Sequence, residues 1–179
     1  MDPAGVKDAG TGQAVRKESY RTNWTSPEFT RGELDEIGNA LYGAKWQANL
    51  CADLGITRRH MNYVMRGGRD VPQDPERRLQ LRKLLKDRLD VLSDAEAAMR
   101  NLREGAEHRE ILAIVGQALF GTGFWQSKII LSYDITQLQM NAVMQRNTEA
   151  PAQMWTKLRR AIAEKRAEIR VLIRNLDAK

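Results

Sequence analysis

Apolar positions in this chain return every three to four residues, broken by glycine and short polar stretches, a pattern that predicts helices throughout. From Arg31, Leu34, Ile37 and Leu41 follow helical spacing, and Gly43 stops the run. A second, short helix is expected from about Lys45 to Leu54, with Gly55 in the turn. A third starts at Thr57, whose hydroxyl can cap it, and ends at Gly67 and Gly68. Val71-Pro72 marks a boundary. The charge-rich stretch from Asp74 to Glu104 carries one apolar face of Leu81, Leu84, Leu85, Leu89 and Leu92, with a break expected near Ser93. Further helices are expected over Ala106–Phe120, Trp125–Tyr133 and Thr136–Arg146, then from Pro151 to about Asn175. Residues 1–30 are read as a flexible arm, because residues 1–28 are mainly polar and glycine-rich with no apolar period.

Residues 38–72 are written twice. They return at 116–151 with one extra residue before the second tryptophan. Gly38 matches Gly116, Leu41 matches Leu119, Gly43 matches Gly121, and Trp46-Gln47 matches Trp125-Gln126. The correspondence continues through Ile56 and Ile135, Thr57 and Thr136, Met61 and Met140, Asn62 and Asn141, Val64 and Val143, and Pro72 and Pro151. Chance would supply about two identities over such a stretch. The repeat also decides the one β-looking run: Lys128-Ile129-Ile130-Leu131 aligns with helix in the first copy.

Each copy has the layout of a helix-turn-helix. In the first, Leu50, Leu54, Ile56, Met61 and Val64 take the buried offsets. Cys51 is the small residue where the helices cross, and Gly55 supplies a positive-φ turn at no steric cost. This arrangement resembles the phage repressor family of helix-turn-helix DNA-binding proteins over about residues 38–72, and the repeat extends it to 116–151. The expected fold is all-α: two tandem repressor-like units, 31–104 and 105–179, the second divergent and ending in a long C-terminal helix.

The resemblance implies that the second helix of the motif lies in the major groove of double-stranded DNA. Carried onto this chain, the residues reaching base edges are Thr57, Arg58, Arg59, Asn62 and Tyr63. Arginine matches guanine's two acceptors, and asparagine can pair bidentately with adenine. Gln47 stands where the family contacts phosphate, and Arg66 and Arg69 would sit near phosphates. The plainer alternative is a solvated basic face. Trp46 and Trp125 are expected to anchor cores, as are Met61, Met65, Met140 and Met144, while Cys51 carries no redox or catalytic role. His60 and His108 stand alone, without cysteine or acid at ligand spacing, so neither metal nor cofactor is expected.

The second copy is chemically different. Its recognition segment, Thr136 to Ala142, holds Gln137 and Asn141, with Gln126 ahead of it and Arg146 as the one nearby cation. Asp134 replaces the turn glycine, and Ile130 replaces Cys51, so the helices should separate or cross differently. Two roles are left open: a weaker DNA reader, or a surface for a protein partner, with the second favoured. The stripe Trp155, Leu158, Ile162, Ile169, Leu172 and Leu176, interrupted by Lys165, fits either packing within the chain or a homodimer contact. The dimer contact is assigned to Leu158, Ile162, Ile169, Leu172 and Leu176 together with the uncharged face of the second copy.

Charge and composition sharpen this picture modestly. The 179 residues carry a net charge of +6 with a pI near 9.7, which favours a polyanionic partner. A single cysteine excludes an internal disulfide. Apolar runs are short, so no membrane span or secretory signal is expected, and the localisation is read as cytoplasmic. No nucleophile–base pair, phosphate-cradling glycine loop or metal cluster suggests an enzyme. The expected function is a sequence-specific transcriptional regulator, a repressor. The alternatives are a DNA-site adaptor for packaging, replication or plasmid maintenance, and a protein-interaction inhibitor built on the same folds.

Overall fold

In the computed structural model, residues 29–68, 74–102, 107–121, 123–146 and 148–178 are described. They are helical with no strand, in eight helices: α1 (Arg31–Tyr42), α2 (Gln47–Asp53), α3 (Arg58–Met65), α4 (Pro75–Arg100), α5 (His108–Phe120), α6 (Trp125–Tyr133), α7 (Gln137–Arg146) and α8 (Ala152–Asp177). The N-terminal arm expected over residues 1–30 lies outside the described residues except for Phe29 and Thr30, as do Val71 and Pro72.

Local chemistry explains where the helices start. Thr30 and Glu33 form a reciprocal capping box on α1. Thr57 caps α3 by accepting the His60 N–H at 3.2 Å, and Asp74 caps α4 ahead of Pro75 at its first position. The break expected near Ser93 does not occur. The Ser93 hydroxyl donates to the Leu89 carbonyl at 2.8 Å, and α4 runs 26 residues without interruption.

The two copies repeat in backbone as well as in sequence. Gly43 and Gly121 end α1 and α5 with φ of 74° and 79°. Gly55 turns between α2 and α3 at φ 62°, and Asp134 makes the matching turn between α6 and α7 at φ 52°. Asparagine and aspartate tolerate this left-handed region better than other L-residues do. Just ahead of α6, Phe124 also takes a positive φ of 55°. Ile130, standing for Cys51, is half-buried, and α6 touches α7 more sparsely than α2 touches α3.

The long helices join the copies. Arg82 pairs with Asp177 at 2.6 Å, Glu96 with Arg166, and Arg159 donates to the Met99 carbonyl at 3.2 Å. Early residues of α4 therefore meet late residues of α8, and the pair is antiparallel. α4 also packs along α5, and the buried side chains of both copies form one contiguous core.

That packing corrects the dimer assignment. Leu158, Ile162 and Ile169 are wholly buried, and Leu172 and Leu176 nearly so, within this one chain. The stripe is consumed by α4 and its neighbours, because a long apolar helix face lowers free energy only when covered and α4 offers a matching face of Leu81, Leu85 and Leu92. No part of it is left for a second chain.

Candidate nucleic-acid interface

The outer face of α3 follows from its apolar one. Met61 and Val64 are buried, so the residues between and beyond them must face water. Arg58, Arg59, Asn62, Tyr63 and Arg66 fall within about 140° of the helix circumference at 100° per residue, opposite the core. All five are exposed, as is Thr57 at the cap. Gln47 opens α2 and is half-buried. Arg69 lies outside the described residues.

The end of α3 is held by a Schellman motif. The Gly68 N–H donates to the Tyr63 carbonyl at 2.9 Å and the Gly67 N–H to the Val64 carbonyl at 3.0 Å, with Gly67 at φ 85°. A Cβ on Gly68 would lie 2.6 Å from Cε1 of Tyr63, so the absence of a side chain lets the phenol ring close over the turn.

Sequence spacing missed one cation here. A Cβ on Gly67 would meet Nη1 of Arg31 at 2.8 Å, so the first residue of α1 places its guanidinium beside the end of α3. The two positions are 36 residues apart, and no local pattern connects them. Among the described residues, none of Arg31, Arg58, Arg59 and Arg66 forms an ion pair with a carboxylate. The contrast is with α4 and α8, where Arg82, Arg100, Arg160 and Arg166 all do.

The corresponding surface of the second copy lacks this charge. The Gln137 side-chain amide donates to Oδ1 of the Asn141 side chain at 2.9 Å, so the two candidate readers are tied to each other. Gln126 is half-buried, and Arg146 is exposed at the end of α7. Where the first copy has Lys45, Ala52 and Arg59, the second has Phe124, Leu131 and Leu138, which are 87%, 85% and 73% exposed. Asp134 is engaged from outside the motif: Lys157 donates to its carbonyl at 3.2 Å and reaches its carboxylate at 3.4 Å.

The remaining chemistry-bearing residues have structural settings. Cys51 is buried, and that desolvation pushes its thiol up, away from the reactive thiolate. His108 is buried, accepts the Ala150 N–H on Nδ1 at 3.0 Å and packs on Trp155, tying the start of α5 to the entry of α8. Among the described residues no three His, Cys, Asp or Glu side chains are grouped to hold a metal, and no helix is long and apolar enough to cross a membrane. Comparison with protein-family models, with curated proteins and with solved structures found no match.

Proposed function

We propose that this chain is a sequence-specific DNA-binding transcriptional regulator, a repressor, that reads the major groove with α3. The observation that carries the proposal is one exposed helix face bearing Arg58, Arg59, Asn62 and Arg66, with Arg31 beside it and, among the described residues, no carboxylate paired with these arginines. Guanidinium groups on an exposed helix face suit phosphates and guanine edges, and Asn62 suits adenine. Repression needs only occupancy of a promoter. Selection of bound fragments from random double-stranded DNA, followed by titration at several salt concentrations, tests it. Enrichment of one sequence with salt-dependent affinity is the expected result, and no affinity at low salt would overturn it.

A second reading concerns the other copy. Phe124, Leu131 and Leu138 stand where the first copy has two cations and an alanine, which supports a protein contact there in place of DNA. With the α8 stripe buried, a homodimer would use this face, presenting two α3 helices to grooves about 34–36 Å apart or a multiple of that. Solution mass separates the outcomes: a dimer fits the regulator, whereas a ring or filament fits the DNA-site adaptor.

A further inference from the structure

A cleft of about 300 Å³ opens where the two copies meet. The end of α1 and the end of α5 form two of its walls, with α4, α6 and α8 closing the rest. Leu41, Leu119 and the Phe120 ring make part of the lining apolar, and Arg88, Lys128 and Lys165 bring positive charge to it.

Most of the charge in the cleft is already engaged. Glu164 accepts from Arg160 at 2.8 Å, and Glu168 pairs with Lys165 at 2.8 Å. Lys128 donates to the Phe120 carbonyl at 3.2 Å and lies over that ring. The Tyr42 phenol donates to Asp53.

Arg88 is the exception. Its Nε is shut off from solvent without a hydrogen-bond partner, and among the described residues no carboxylate pairs with it. Arg77, Arg82 and Arg166 also have a shielded, unbonded nitrogen, yet each has a carboxylate at hand. Burial pulls the Arg88 guanidinium below its ordinary value, which reflects charge held out of water without an anion to offset it.

We infer that this cleft binds a small organic monoanion with an apolar body, its carboxylate on Arg88 and its body against Leu41, Leu119 and Phe120. Three cations and two carboxylates line the space, so one negative charge restores neutrality where a dianion would overshoot. The volume is at the small end for ligand sites. Guanidinium presents the planar pair of donors that a carboxylate matches. Because the ligand would touch both α1 and α5, its binding would stabilise the junction between the copies. The inference does not depend on what α3 binds.

Calorimetric titration of the full chain with benzoate tests this, with benzamide as the uncharged control. Saturable benzoate binding is expected at a Kd on the order of 1 mM or tighter, with none for benzamide and with shifts of the Tyr42 and Tyr133 ring resonances, both residues lining the cleft. Arg88→Met should weaken benzoate binding at least about tenfold, and Arg88→Lys should restore part of it by keeping the charge. Absence of saturable benzoate binding, equal binding of benzamide, or wild-type affinity in Arg88→Met would each overturn the inference. Should Arg88→Met fail to fold, wild-type ring shifts decide: unmoved Tyr42 and Tyr133 signals overturn it as well.

Discussion

The Trp46 indole occupies the space that a side chain on Gly38 would need, and Trp125 does the same at Gly116. A Cβ on Gly38 would sit 2.6 Å from the indole Cγ and closer still to Cδ2, and one on Gly116 would sit 2.7 Å from Cζ3 and closer to Cε3. The same residue pair, in the same relative place, keys the first helix of each copy to the start of its second.

Gly38→Ala and Gly116→Ala should therefore destabilise the chain. Alanine favours a helix over glycine by about 1 kcal/mol, but overpacking against a held ring costs about 1–3 kcal/mol. Trp46 is held: it is buried, and its Nε1 donates to Asp35 at 2.9 Å. The urea midpoint of either variant should fall with little change in slope. A midpoint at or above wild type would mean the indole swings aside.

If α3 reads DNA as proposed, Arg58→Ala or Arg59→Ala should cost about 1–3 kcal/mol on a selected DNA site and relax preference at one or two base pairs. Arg66→Ala and Arg31→Ala should instead weaken all sequences alike and lower the salt slope by about one each. Fluorescence anisotropy with cognate and scrambled duplexes separates the two patterns. Wild-type affinity in both Arg58→Ala and Arg59→Ala would remove α3 as the reading element.

The turn at Gly55 offers a cleaner conformational test. Its φ is 62° and an added Cβ would meet nothing within 4 Å, so any loss in Gly55→Ala comes from the backbone alone. That loss should be about 1–2 kcal/mol. Gly55→Asn should lose less, because asparagine reaches the left-handed region more easily and Asp134 already occupies it in the second copy. Equal losses for the two variants in thermal unfolding would contradict this account.

Ile169→Asp is expected to disrupt the fold itself. Ile169 is wholly buried within the core that the described residues form. A carboxylate there would be held out of water, and the loss should exceed about 4 kcal/mol. Circular dichroism should show loss of cooperative unfolding. A well-folded variant with halved solution mass would restore the α8 stripe as a subunit contact.

Much of this molecule was legible before any fold was in view. Helix limits, caps and turn glycines are local properties, and α1, α3, α6 and α7 match their expected spans closely for that reason. The internal repeat told which positions are buried, since Leu50, Met61 and Val64 in one copy and Ile129, Met140 and Val143 in the other carry the same pattern. The outward face of α3 followed from the same offsets, because a helix that buries Met61 and Val64 must expose Arg58, Arg59 and Asn62.

What covers a helix face is a different kind of fact. The apolar stripe of α8 has the same residues whether it meets another chain or α4, and only tertiary packing, registered by Arg82 on Asp177 and Arg159 on Met99, chose between them. Ser93 sits mid-helix because α4 is covered on both sides by its length of contact, which outweighs the weak local preference of a serine. Arg31 beside Gly67, and Arg88 in the cleft between the copies, depend on residues brought together from distant parts of the chain. Sequence period reports the shape a segment prefers, and only the assembled fold reports its neighbours.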